Sequence, residues 1–221
     1  MPINKKYLAD FEEDGVYHVY NKTNNKELLF LKDEHRFFFL KRYAAILSPF
    51  INTYCWCLLP NHFHLMVKVK SVGDITNHLK KSDTQLLTAT EKKFLDNKLP
   101  LGILIERQFT RFFQSYSQSF NKEQNRSGNL FYKPFKRILI NSEPHFTQTI
   151  IYIHANALKH GIVSDFTKYK WSSWKTILSN GPTTLQRKEI LDWFGGKQAF
   201  INAHFNQAKY YYGGESNDLE E

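Results

Sequence analysis

The sequence predicts an α+β domain of ferredoxin-like type: an antiparallel sheet in the order β-α-β-β-α-β plus a C-terminal helix, with a helical insertion and a C-terminal helical extension. Three observations carry this expectation. Segments of two-residue alternation and segments of helical spacing follow one another in that order. Two apolar runs meet at the tight break Pro60-Asn61, which reads as a hairpin. The 221 residues, 42% of them hydrophobic, are enough for one domain with a real core.

Residues 1 to 14 read as a polar lead-in, and Gly15 to Asn21 alternates β-formers as a first strand before the turn-rich cluster Asn21 to Asn25. From Asp33, a candidate N-cap, a helix is expected to Leu47 with Phe37, Leu40, Tyr43, Ala44 and Leu47 on its apolar face, stopped by Ser48-Pro49. Ile51 to Leu59 and His62 to Lys70 are the paired strands. Residues 71 to 106 read as an insertion of exposed helical or loop segments. From Arg107, Phe109, Phe112, Phe113, Tyr116 and Phe120 recur at three and four, marking a helix to about Asn121; Leu130 to Ile140 is the fourth strand. Ser142 caps a helix with Pro144 in its first turn, and Gly161 is placed to end it. Tyr169 to Trp174 reads as a packed aromatic loop. The domain is therefore expected over 1–175, with 176–221 as a helical extension ending in an acidic, disordered tail from Glu215.

The chain carries a formal charge of +9 and 16% aromatic residues. Excess base favours a polyanionic partner, and interleaved aromatics suit the stacking of unpaired bases. The charge is concentrated: Arg107, Arg111, Lys122, Arg126, Lys133, Lys136 and Arg137 face a single acid, Glu123, within one helix, loop and strand. This stretch is the expected nucleic-acid track. No run of 18 or more apolar residues occurs and the N-terminus is not a signal peptide, so no membrane association is expected and a cytoplasmic location is. The only cysteines, Cys55 and Cys57, stand two apart, where a disulfide would be badly strained, which agrees with a reducing compartment.

Two pairs invite chemistry. His62 and His64 lie two apart in a strand and so share a face; they are either two polar residues on the wet side of the sheet or two metal ligands awaiting a third. Tyr152 and Asn156 stand at i, i+4 on a helix, within reach of one ligand. A zinc site of Cys55, Cys57, His62 and His64 is disfavoured if they lie along one strand, since they would then spread over about 30 Å at ~3.3 Å per residue.

With these residues in view, the chain resembles the single-tyrosine HUH transposases, in particular the REP-associated tyrosine transposases. Leu59-Pro60-Asn61-His62-Phe63-His64 is similar to that group's LPxHxH motif, and Tyr152 to Gly161 to its YIxxNPxxxG helix motif. Tyr17 to Asn21 and Trp171-Ser172-Ser173 also look like family features, so the resemblance spans about residues 15 to 174. Ala157 stands where the family has proline, and Asn21-Lys22-Thr23-Asn24 replaces its usual Asn-Arg-Gly. The resemblance implies that His62, His64 and Asn156 hold Mg²⁺ or Mn²⁺ and that Tyr152 is the nucleophile of a single-strand DNA endonuclease and strand transferase. The expected partner is single-stranded or hairpin DNA, with Lys159 added to the basic track and a homodimer possible. The alternative is a module of the same fold that binds structured DNA or RNA without cutting it. No general base for Tyr152 is evident; His154 points from a different face of the helix.

Overall fold

The computed structural model describes residues 5–212. Four strands, β1 (Val16–Lys22), β2 (Ile51–Leu58), β3 (His62–Val69) and β4 (Lys136–Ile140), form one antiparallel sheet in the order β2-β3-β1-β4. This is the strand order of a ferredoxin-like fold. Helices α1 (Asp33–Leu47) and α4 (Leu101–Glu123) cover one face. Alternation explains the assignment: Phe63 of β3 meets Phe39 of α1 and Phe113 of α4, so its neighbours His62 and His64 turn to the opposite face.

That opposite face is not open to water. Helix α5 (Glu143–Lys159) lies across it, with His64 fully buried and His62 half-buried beneath it. Ser142 Oγ accepts the His145 N–H at its start. At its end Gly161, at φ +66°, closes the last turn: its N–H donates to Leu158 O and the Ile162 N–H to Ala157 O. Almost the whole central stretch of α5 is buried, because α8 (Lys197–Tyr212) packs on its outer side.

Several boundaries differ from the sequence expectation for local physical reasons. In α1 the buried face is Phe39, Tyr43, Ile46 and Leu47, while Phe37 and Ala44 are exposed; Phe37-Phe38-Phe39-Leu40 is apolar all round and selects no face. Asp33 is the first helical residue and not the cap; its carboxylate instead accepts from Trp171 Nε1 and pairs with Lys170. Helix α4 begins six residues before Arg107, and Leu104 and Ile105 enter the core. The fourth strand is only Lys136–Ile140: Pro134 has no N–H to give a ladder, and 130–135 folds over α4 through Leu130, Phe131 and Phe135.

The expected insertion is helical, with α2 (Val72–Lys81) and α3 (Ala89–Leu95) sending Ile75, Leu79 and Phe94 inward. The lead-in is less polar in role than in composition: Phe11 is buried and stacks on Phe109, and Ala9 N–H donates to Arg137 O along the outer side of β4. A side chain at Gly102 would strike Phe11 O at 2.7 Å, so this close approach requires glycine. Beyond the aromatic loop follow the short α6 (Trp174–Leu178) and α7 (Arg187–Phe194). The acidic tail lies outside the described residues. Among those residues no helix is long and apolar enough to cross a membrane.

Candidate active site

The pleat of β3 points His62 and His64 at α5, and antiparallel pairing surrounds them with equally oriented neighbours. In register, Lys22 faces His62, Tyr20 faces His64 from β1, and Cys57 faces His64 from β2. His18, two residues before Tyr20 and on the same side, bonds to His64 through Nε2···Nδ1 at 2.9 Å. The Asn61 amide oxygen lies 2.7 Å from His62 Nδ1. An amide oxygen only accepts, so His62 Nδ1 carries the proton and Nε2 presents its lone pair. That Nε2 is buried and makes no hydrogen bond of good geometry among the described residues, although the Asn156 amide is close enough to favour the protonated ring.

Helix α5 supplies the other half. Asn156 is fully buried, and neither its Oδ1 nor its Nδ2 has a partner among the described residues. A buried amide with both ends unmade costs a few kcal/mol, so such an atom calls for an explanation. One turn earlier, Tyr152 stands edge-on to His64 and His18, with ring centroids 5.6 and 5.9 Å apart. All four predicted site residues therefore meet within a single chain. Lys159 reaches the same place from the helix end: its Nζ lies 4.8 Å above the Tyr152 ring and donates a long bond of 3.5 Å to the phenolic oxygen.

The electrostatics hold the imidazoles neutral. His62 is pushed down to about 3 by burial first and by neighbouring His160 next, with the Asn156 amide pulling the other way. Burial lowers His18 to about 3 and holds His64 well below the usual histidine range, with His18 and His62 adding to the effect on His64. Metal binding needs the neutral form of histidine, and here no proton has to leave first. Among the described residues no three His, Cys, Asp or Glu side chains come together as a metal-binding group. The donor set that fits a cation is two imidazoles and an amide. Bare His62 Nε2 and the orphaned Asn156 Oδ1 suit a divalent ion with positions left for oxygen ligands.

The zinc alternative changes form. The strands reverse at Pro60, so Cys57 sits across from His64 and Cys55 across from Met66, far closer than a single continuous strand would place them. Both thiols are buried, and burial pushes them up, away from the thiolate a zinc ligand needs.

The basic track is dispersed. Arg137 is buried, donating to Ala9 O and pairing with Glu106. Arg126 is tied to Glu27 and Asn121, and Arg111 to Glu91. Arg107, Lys122 and Lys133 are exposed, and Lys136 spans the rings of Tyr7 and Tyr20. His154, on the far side of α5, bonds to His204 and Ser173 and takes no part in the site. Sequence reading missed His18 and His160, the latter with its ring 4.8 Å from that of His62. Alternation in Tyr17-His18-Val19-Tyr20 was the available signal for His18; His160 lay inside the helix motif itself.

No protein-family model matches the sequence, and no curated protein does. Among solved structures, the chain is similar to a REP-associated tyrosine transposase bound to a REP hairpin, with a TM-score of 0.51 at 15% identity. The match covers 82% of this chain and 87% of that one. At this identity the likeness establishes a shared fold.

Proposed function

We propose that the protein is a metal-dependent single-strand DNA endonuclease and strand transferase that acts through a 5′-phosphotyrosine on hairpin-bearing DNA. The observation that carries this reading is the juxtaposition of Tyr152 with His62, His64 and Asn156 between β3 and α5 of one chain. The hairpin held by the structurally similar transposase supports the choice of substrate.

His62 Nε2, His64 and Asn156 Oδ1 would hold the ion, Mg²⁺ or Mn²⁺, which when bound supplies charge stabilisation to the scissile phosphate. Tyr152 Oη attacks phosphorus; an O–P bond forms, the bond to the 3′ oxygen breaks, and the phenolic proton is balanced by the proton gained by the departing 3′-OH. Reversal at a new 3′-OH rejoins the strand without outside energy. No side chain takes the phenolic proton, which passes to solvent; the Lys159 ammonium against the phenolic oxygen would favour the phenolate electrostatically. His18 holds the ring of His64, as an outer partner orients a metal-ligating imidazole.

The test is a labelled hairpin-bearing single strand incubated with protein and Mg²⁺ or Mn²⁺. A covalent protein–DNA adduct is expected, absent in Tyr152→Phe and absent in chelator. An adduct that persists in Tyr152→Phe removes this nucleophile, and salt-sensitive binding with no cleavage under either metal leaves the binding module as the function.

A further inference from the structure

On the side of the sheet away from the histidines, a cavity of about 620 Å³ opens between α4 and the segment 128–135. Its size lies within the ~300–1,000 Å³ of small-ligand pockets. Its walls are the rings of Phe113, Phe131 and Phe135, all buried. Gln114 and Gln118 line its α4 side with exposed amides that make no hydrogen bond among the described residues. The cavity's one carboxylate, Glu106, is neutralised by Arg137, and the Asn121 amide is spent on Gly128 and Arg126. What the cavity offers a ligand is therefore flat aromatic surface, amide donors and acceptors, and a positive rim at Lys133.

The rim also connects to the candidate active site. Tyr132, half exposed at the cavity, has its backbone pinned: its N–H donates to Lys22 O and its carbonyl accepts from Asn21 Nδ2. The Lys22 ammonium lies 5.5 Å over the Tyr132 ring, while Lys22 faces His62 across the β1–β3 pairing. One lysine at the end of β1 thus stands between the two places.

We propose that this cavity takes an unpaired nucleobase of the nucleic-acid strand that reaches Tyr152, with the flanking phosphates on Lys22 and Lys133. The proposal rests on the nuclease reading for which strand is bound, but its test needs no cleavage. Stacking on aromatic rings is sequence-tolerant, and amides on a flexible glutamine stem can meet any base edge.

A short thymidine oligonucleotide carrying one photoactivatable thiothymidine is bound to the full chain in chelator and irradiated, and the crosslinked peptide is mapped. Crosslinks are expected on 110–121 or 128–135. An abasic residue at the crosslinking position should weaken binding about tenfold, as loss of one stacked base does. Gln114→Trp, at an exposed helical position, should fill the cavity and weaken the intact strand to a similar extent with an unchanged thermal midpoint. Tyr132→Ala provides a second variant should Gln114→Trp unfold. Crosslinks elsewhere, or equal affinity for intact and abasic strands, overturn the proposal. Crosslinks here without any covalent adduct under metal leave the cavity standing and remove the nuclease; an adduct without these crosslinks does the reverse.

Discussion

Helix α5 carries a buried histidine cluster on each side, and the two differ in how their hydrogen bonds close. On the outer side, His204 Nδ1 donates to Phe200 O, so its Nε2 must accept from His154 Nδ1 at 2.9 Å. His154 Nε2 then accepts from Ser173 Oγ, which itself accepts the Trp56 N–H. Every nitrogen has one role, every role is filled, and the chain ties α8, α5 and β2 together. On the inner side His18 and His64 share one such bond, but among the described residues His62 Nε2 and both ends of the Asn156 amide make no hydrogen bond of good geometry. Residue type is alike, although His62 is only half-buried while His154 and His204 are fully buried; closure is what separates a staple from a site. Buried polar atoms left unsatisfied in a folded protein call for an explanation, and an ion or substrate is one that fits this donor set.

Substitutions on the two sides should therefore separate activity from stability. The largest expected effect is on the inner side: His62→Ala or Asn156→Ala should cut adduct formation by more than the ~10–100-fold typical of losing an outer partner to a metal ligand. Their urea midpoints should stay close to the parent's. An unfolded His62→Ala variant would break the contrast. Next is the outer side, where His204→Ala orphans the His154 N–H and opens a cavity. A loss of about 3 kcal/mol in urea unfolding is expected, with the adduct yield of the folded fraction unchanged.

His18→Phe keeps the ring and removes the bond to His64, so adduct formation should fall roughly 10-fold or somewhat more and recover partly at high metal. Lys159→Gln should slow the adduct about fivefold at neutral pH, an effect limited by the solvent exposure of the lysine, and Lys159→Arg should retain most of the rate.

Acid offers a graded test of the outer cluster. His204 is held at about 3 by burial, whereas the unfolded residue titrates near ~6.5. The unfolded state thus binds more protons between these values, and stability, fully present above the unfolded value, declines as pH falls toward 3, by up to ~1.4 kcal/mol per pH unit for each such histidine. His204→Leu should flatten this decline between pH 6.5 and 3 in chemical denaturation. An unchanged slope would show that His204 is already protonated in the folded protein.

The order of strands and helices along the chain, the hairpin at Pro60, the capped helix ending at Gly161 and the two short motifs were legible in the sequence because each depends on local chemistry. Period-two alternation places His62 beside His64, and i, i+4 spacing places Tyr152 beside Asn156, wherever those elements lie. What sequence could not decide was which of two faces each element presents, and to what. The apolar run Phe37 to Leu40 satisfies any helical face, so only packing against Phe63 and Phe112 chose Phe39. The basic residues from Arg107 to Arg137 make one cluster along the chain, yet folding sends Arg137 into an ion pair and leaves Lys133 at a cavity rim, because side-chain direction is a property of the packed sheet and helix. Sequence determined that two histidines, an amide and a phenol are carried on rigid elements at fixed local spacing. Tertiary structure alone brought the strand pair and the helix pair together, buried them so that the imidazoles stay neutral, and gave His154 hydrogen bonds that close while leaving those of His62 and Asn156 open.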